Sequence, residues 1–128
     1  MTRVLALFAA LAVFATIVGC SQSPVQVGPD ASGSTVTLRP GQGLTIELES
    51  NASTGFRWAF TTEPDAAVLA LAGNDYQAPS ADLLGAPGKE AWRFTAVKAG
   101  TTSLTLVYAR PWESVMPEKT FTLTVEVK

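Results

Sequence analysis

The residue types that most enzymes use for catalysis are scarce in this sequence. Its 128 residues include no histidine and one cysteine, Cys20. The lack of an imidazole excludes Ser–His–Asp and Cys–His catalysis, histidine acid–base chemistry and ordinary histidine-containing zinc sites. We therefore expect no metal, no cofactor, no small-molecule substrate and no enzymatic activity. The carboxylates that we considered are interpreted as solvated charges at loops and strand ends: Asp75, Asp82, Glu90 and Glu113.

Three separated stretches have residue types that are suited to binding. Residues 50–55 are small and polar and end in a glycine, residues 79–90 are rich in proline and glycine, and residues 109–118 contain the triplet Arg-Pro-Trp. Tryptophan and arginine are enriched at binding hot spots, and a proline between them reduces the entropy that is lost on docking. These stretches are the candidate binding loops.

The individual side chains in these loops have two interpretations each. Trp112 is either an exposed anchor for a partner or a side chain that folds back over the end of the domain. The polar side chains of Asn51, Ser53 and Thr54 either contact a partner or form the hydrogen bonds that stabilise a turn.

Short alternating patterns surround the three stretches and must position them. Phe56, Trp58 and Phe60 alternate with polar or small residues directly after Gly55, which indicates a strand anchored in a core. Similar patterns recur along the chain at Val36 and Leu38; Leu44, Ile46 and Leu48; Trp92, Phe94 and Ala96; Leu104, Leu106 and Tyr108; and Phe121, Leu123, Val125 and Val127.

About seven such strands without a long helix predict an all-β fold, an antiparallel β-sandwich. Trp58 falls on the third predicted strand, like the core tryptophan of immunoglobulin-like sandwiches, here without the cysteine pair. Alternate connections of a sandwich emerge at the same end, so the three loops are expected to form one patch. Residues 63–73 are ambiguous, since a single helical turn or a short edge strand both fit, and residues 74–78 are another strand candidate.

The N-terminal residues have the layout of an export signal. Arg3 precedes an apolar run from Val4 to Val18 that is too short to span a membrane, and Gly19-Cys20 resembles a lipoprotein cleavage site. We predict a signal peptide over residues 1–19, a lipidated (palmitate-bearing) Cys20 with a flexible tether over 20–33, and one domain over 34–128. Val25 and Val27 could add a short edge strand. The expected location is the bacterial cell envelope. The outer membrane is favoured, because the residue after the cysteine is Ser21 and not the aspartate that is associated with inner-membrane retention in some bacteria.

The charge of the mature chain excludes a further class of partner. After residues 1–19 are removed, eight basic residues face eleven acidic ones, which gives a net charge of −3. No cluster of lysine and arginine is present in the sequence, so nucleic acid is not an expected partner.

Three motifs together resemble those of one known family. They are Asn51-Ala-Ser-Thr-Gly-Phe, Leu84-Gly-Ala-Pro-Gly and Arg110-Pro-Trp, in this order and spacing. This arrangement is similar to the chagasin family, whose members inhibit papain-like cysteine proteases and have an immunoglobulin-like β-sandwich fold. The similarity covers residues 34–128 and extends between the motifs, as in the run from Trp92 to Gly100.

The resemblance also implies roles for individual residues. Thr54 would pack against the catalytic cysteine of the protease, supported by Asn51 and Ser53. The second loop would form strand-like backbone hydrogen bonds beside the non-primed cleft, and Trp112 would contact an aromatic wall on the opposite side. The protease-binding residues implied in this way are Asn51, Ser53, Thr54, Gly55, Leu84, Gly85, Ala86, Pro87, Gly88, Arg110, Pro111 and Trp112.

Two positions depart from the family pattern. The family usually has proline where Ala52 stands, so a less rigid first loop is expected. It usually has glycine where Pro87 stands, and a proline removes one backbone N–H donor from the second loop.

The function implied by the resemblance is reversible, competitive occlusion of a protease cleft by a monomeric, membrane-anchored inhibitor. An alternative is a non-inhibitory binding or adhesion module of the cell envelope that uses the same loop end.

Overall fold

The structure is a computed structural model that describes residues 22–79 and 86–128. Eight strands form within these ranges, joined by short turns and two 3-10 turns at Pro29–Ala31 and Ala52–Thr54. The strands are β1 (Val25–Val27), β2 (Ser34–Leu38), β3 (Gly43–Ser50), β4 (Arg57–Thr62), β5 (Leu69–Gln77), β6 (Gly88–Ala96), β7 (Gly100–Ala109) and β8 (Lys119–Val127). No helix within the described ranges is long and apolar enough to span a membrane.

The strands are arranged in two four-stranded sheets. One sheet has the order β1-β3-β6-β5 and the other has the order β2-β8-β7-β4. The inner pairings β3–β6 and β7–β8 are antiparallel, as are β5–β6 and β4–β7. The predicted all-β sandwich is therefore confirmed, with eight strands rather than about seven. The edge strands β1 and β2 differ from the antiparallel prediction, because they pair in parallel with β3 and β8.

The core lies between the sheets and follows from the alternation of side chains along each strand. In β8, Phe121, Leu123 and Val125 are buried while the intervening threonines are half-buried. Trp58 is buried, and its indole N–H donates to the Glu49 carbonyl oxygen at 2.9 Å, which fastens β4 to the end of β3. Phe56 and Phe60 are partly buried against the same core, as the sequence predicted.

The segment that was predicted as a flexible tether is partly built into the sandwich. From Gln22 onward the structure describes it, and Val25–Val27 forms β1 in register with Leu44 to Ile46 of β3. The valines at both ends of β1 pack against the core, so burial of apolar surface explains the pairing. The 3-10 turn at Pro29–Ala31 then leads the chain across to the second sheet. The signal peptide and Cys20 lie outside the described residues.

The ambiguous stretch 63–73 contains both elements that were considered for it. A turn over residues 66–68 has helix-like hydrogen bonds, since the amides of Val68 and Leu69 both donate to the Asp65 carbonyl oxygen. The edge strand β5 begins at Leu69 and ends at Gln77, one residue short of the predicted strand at 74–78, with a bulge between Leu71 and Gly73.

Three connections leave and re-enter the strands at one end of the sandwich, as predicted; of the second, residues 78–79 and 86–87 are described. We call them loop 1 (residues 51–56, from β3 to β4), loop 2 (78–87, from β5 to β6) and loop 3 (110–118, from β7 to β8). The predicted second loop, 79–90, is too long at its C-terminal side, because β6 begins at Gly88 and its first three residues pair with β3. The 97–99 turn between β6 and β7 lies at the opposite end.

Candidate functional site

Loop 1 is a tight polar turn that is built around Asn51. The Asn51 side-chain oxygen accepts hydrogen bonds from the Ser53 amide at 3.2 Å and from the Ser53 hydroxyl at 2.6 Å. The Asn51 carbonyl oxygen accepts from the Thr54 amide at 3.2 Å and from the Thr54 hydroxyl at 2.7 Å. The turn-stabilising interpretation of these three residues is therefore correct for the free protein. It does not exclude contact with a partner, because the side chains of Ser53 and Thr54 are exposed.

Tyr108, near the end of β7, holds this turn in place through its hydroxyl and its ring. Its hydroxyl accepts a hydrogen bond from the Asn51 amide at 2.9 Å. Its buried ring stacks on Phe56 with ring centroids 5.2 Å apart and an interplanar angle of 25°, and it lies equally close to Trp58. The alternation of residues predicted Tyr108 as an inward residue of a strand and predicted no contact of it with loop 1. A signal was present in the sequence, because an inward tyrosine at the loop end of a strand needs a partner for its hydroxyl.

Arg110 joins loop 3 to loop 1. Its Nε donates to the Thr54 carbonyl oxygen at 3.0 Å, and its guanidinium carbon lies 4.4 Å from the centre of the Phe56 ring. Its Nη1 also pairs with the Glu113 carboxylate at 3.1 Å. The guanidinium is thus engaged within the chain on three sides. Arg110 is placed to position the loops, whatever contact it makes with a partner.

Trp112 and Gly55 make the second link between these loops. Gly55 has a φ of +80°, a conformation that favours glycine. A Cβ atom built on Gly55 would collide with Cη2 and Cζ2 of Trp112, so the edge of the indole lies directly over the glycine. The Trp112 side chain is nevertheless 69% exposed. Both interpretations of Trp112 are therefore partly right, since the ring leans on loop 1 and presents most of its surface to solvent.

Loop 2 borders the same surface through its last residues. Ala86 is half-buried and Pro87 is exposed, and both precede β6. Gly88 is buried in β6 opposite Ser50, where a Cβ would collide with the Tyr76 hydroxyl and the Gln77 carbonyl oxygen. Close packing inside the sheet explains a glycine at this position. The predicted binding residues Leu84 and Gly85 lie outside the described residues.

The described parts of the three loops meet around one shallow depression of about 320 Å³. Asn51, Thr54 and Phe56 line it from loop 1, and Pro87 and Glu118 line it from loops 2 and 3. Tyr108, which positions loop 1, is also part of the lining. Within residues 22–79 and 86–128, no group of three or more acidic, cysteine or histidine side chains could hold a metal ion. The described loop residues thus form one continuous surface, in which loop 1 is bonded to Tyr108 and Arg110.

Comparisons with known proteins agree on one family. The model of the Chagasin family peptidase inhibitors matches residues 37–125. Chagasin from Trypanosoma cruzi is 39% identical over 84 residues, which cover 63% of this chain and 76% of chagasin.

Two solved structures share the fold. A cysteine protease inhibitor from Entamoeba histolytica has a TM-score of 0.71 at 23% identity, with 83% of this chain and 96% of that chain covered. The structure of PbICP-C in complex with falcipain-2 has a TM-score of 0.60 at 21% identity, with 84% of this chain and 93% of that chain covered. The shared sandwich accounts for nearly the whole length of both solved chains.

The contact between Gly55 and Trp112 leads to a first prediction, on Gly55→Ala. A positive φ costs a residue with a Cβ roughly 1–2 kcal/mol, so the free energy of unfolding should fall by about that amount. The new methyl group should also displace Trp112, which a shift of the Trp112 indole N–H resonance in a two-dimensional NMR spectrum would reveal.

Gly41→Ala is the matched control. Gly41 has a similar φ of +87°, but nothing lies within 4 Å of the added Cβ. It should lose comparable stability without moving the Trp112 resonance. An unmoved resonance in Gly55→Ala would show that loops 1 and 3 are not in contact there.

Proposed function

Because this chain belongs to the chagasin family of peptidase inhibitors, we propose that it inhibits papain-like cysteine proteases with the three-loop end of its sandwich. It acts as a binding protein and not as an enzyme. The observation that best supports the proposal is that two hydrogen bonds, one from β7 and one from loop 3, hold loop 1 in a fixed position. Tyr108 bonds to the Asn51 amide, and Arg110 bonds to the Thr54 carbonyl oxygen.

In this proposal the cleft is occluded without chemistry. Thr54 and Gly55 enter the cleft nearest the catalytic cysteine, loop 2 lies on the non-primed side, and Trp112 lies on the opposite side. Cleavage of the Thr54–Gly55 peptide bond would require the Thr54 carbonyl oxygen to enter the protease's oxyanion hole. That oxygen already accepts a hydrogen bond from the inhibitor's own Arg110. Inhibition is therefore reversible and competitive, and the inhibitor is not consumed.

The affinity in this proposal comes from preorganisation. Ordering one residue of flexible backbone costs roughly 1–2 kcal/mol, so a loop of six residues that was disordered before binding would lose much of its contact energy. Loop 1 loses this conformational entropy already when the protein folds, because the bonds around Asn51 and the stacking of Phe56 on Tyr108 order it in the free protein. A few anchors can then supply the binding energy.

Papain tests the proposal directly. Residues 21–128, without lipid, should inhibit hydrolysis of a fluorogenic peptide competitively at sub-micromolar concentration, and mass spectrometry after prolonged incubation should show an intact Thr54–Gly55 bond. Trypsin, a serine protease, serves as the control and should be unaffected. Unchanged hydrolysis by several papain-like enzymes, with folded protein in excess, would rule the function out.

The exposed Trp112 leads to a further prediction. Trp112→Ala should weaken papain binding by about 2–4 kcal/mol, as expected of a hot-spot tryptophan, because a large apolar contact with the protease is lost. Its free energy of unfolding should change by less than about 0.5 kcal/mol, since the side chain is mostly exposed. Inhibition constants and denaturant titrations measure the two effects.

Trp58→Ala is the matched control for this substitution. The same change at the buried tryptophan should cost about 3–5 kcal/mol of stability. A loss of that size in Trp112→Ala would show that Trp112 acts mainly as a structural residue and would contradict its role as an anchor.

We also propose that the protein is a monomeric bacterial envelope lipoprotein, attached to the membrane through lipid on Cys20. The register of β1 supports this arrangement, because Val25 pairs with Leu44 at the start of β3, whereas loop 1 follows the end of β3. The Gln42 side chain also donates to the Ser23 carbonyl oxygen at the same end. Eight residues of β3 at about 3.3 Å each separate the two ends. Anchoring at Cys20 would thus leave the three loops free to meet a protease.

Replacement of the cysteine tests the anchor. In bacterial cells that express the full chain, Cys20→Ser should move the protein from the membrane fraction to a soluble one, because no acyl chain can be attached. The mass of the wild-type mature protein should include the lipid. Ser21→Ala is the control and should remain with the membrane. Wild-type protein in the soluble fraction, without added mass, would contradict the anchor while leaving the inhibition assay unaffected.

A further inference from the structure

The exposed apolar side chains are concentrated in one loop. Within the described residues, six large apolar side chains are exposed, and three of these lie between positions 112 and 116 of loop 3. Trp112 is one of them, and the other two are Val115, 65% exposed, and Met116, 90% exposed. The remaining three are spread over β5 and the 97–99 turn: Leu71, Tyr76 and Val97.

Val115 and Met116 have no assigned part in the fold or in the loop motifs. Neither side chain belongs to the core or packs against it, and the third loop motif ends at Trp112. Single exposed apolar residues are ordinary, but a group of them on one loop indicates an interaction surface. Methionine in particular adapts its flexible side chain to irregular apolar surfaces.

Hydrogen bonds hold both ends of the loop segment that contains this pair. At its start, Arg110 bonds to loop 1 and the Glu113 amide donates to the Arg110 carbonyl oxygen at 3.1 Å. At its end, the Glu118 amide donates to the Tyr108 carbonyl oxygen at 2.9 Å. Val115 and Met116 thus follow Trp112 by three and four residues, between two fixed ends of the same loop.

We propose that Val115 and Met116 form a second apolar contact on the protease, on an apolar surface beside the cleft, and that this contact helps to determine which papain-like proteases are bound most tightly. The proposal rests on the proposed inhibitory function and extends it by two residues. Continuity with Trp112 favours the protease as the occupant. An anionic membrane is disfavoured, because the pair has no basic cluster beside it: Arg110 is paired with Glu113, and Lys119 stands next to Glu118.

The difference between a catalytic cleft and its surroundings explains why such a contact would affect specificity. Enzymes that share a mechanism must keep similar groups at the cleft, whereas the surface beside it is free to vary. Contacts outside the conserved part of an interface therefore discriminate between related partners. Loop 1 would supply the general affinity, and the Val115–Met116 pair would modulate it.

The test compares inhibition constants for papain and several other papain-like proteases. The double variant V115S/M116S of residues 21–128 should raise the inhibition constant about ten- to a hundredfold for at least one protease, and by factors that differ between proteases. Val97→Ser is the matched control, because it removes the same side chain from an exposed position, 49% exposed, at the opposite end. Its inhibition constants should stay within about twofold of wild type.

A labelled variant provides a readout that does not depend on affinity. Residues 21–128 contain no cysteine, since the chain's one cysteine is Cys20, so Met116→Cys can carry a single environment-sensitive dye. Its emission should shift to the blue when papain binds, as water is excluded from the dye. The same dye on Val97→Cys should not respond.

The results that would contradict this inference differ from those that would contradict the inhibitory function. If V115S/M116S inhibits every protease as wild type does while Trp112→Ala is weakened, the inference is wrong and the inhibitory function stands. If wild type inhibits none of the proteases, the function fails, and the inference fails with it. Wild type that sediments as a dimer, with a monomeric double variant, would make a second copy the occupant and overturn the proposal.

Discussion

The contact between Tyr108 and loop 1 is the interaction on which the rest of the binding end depends. One side chain supplies both an apolar anchor and a polar one, because its ring stacks on Phe56 while its hydroxyl accepts the Asn51 hydrogen bond. The ring also contacts Trp58, which belongs to the core between the sheets. The position of loop 1 is thus fixed relative to the core between the sheets, and not only by the turn's own hydrogen bonds.

The binding end behaves as one unit because β7 continues directly into loop 3. Two residues after Tyr108, Arg110 reaches the carbonyl oxygen of Thr54, and two residues later Trp112 covers Gly55. The same short segment therefore contacts the base, the middle and the tip of loop 1 in turn. Gly55 meets two requirements at once in this arrangement, since its φ is positive and the indole leaves no room for a side chain. A change at any of these contacts would affect both loops.

The sequence predicted the parts of the structure that depend on local patterns. Alternation of apolar and polar residues was enough to locate strands such as β3 and β8, and the turn residues marked the loops between them. The parallel pairing of β1 and β2 was missed, because pairing depends on which edges are left open after the other strands have assembled. The 63–73 stretch was ambiguous because a helix-like turn and a strand follow each other within it.

The candidate site was likewise predicted only in part. Composition and the order of the motifs pointed to the three loops, and the family match covers the part of the chain that contains them. The positioning contacts were not foreseen, because each joins residues far apart in sequence: Tyr108 lies 57 residues from Asn51, and Arg110 lies 56 residues from Thr54. The structure also shows the surroundings of the two departures from the family pattern, Ala52 and Pro87. At position 52, alanine stands where the family usually has proline. The residues on either side of it, Asn51 and Ser53, are hydrogen-bonded to each other, and Asn51 is also bonded to Tyr108 of β7. Pro87 precedes Gly88, which forms the last pair of the β3–β6 ladder with Ser50. Pro87 lies outside the ladder and is exposed, so its lack of an N–H costs that ladder no hydrogen bond.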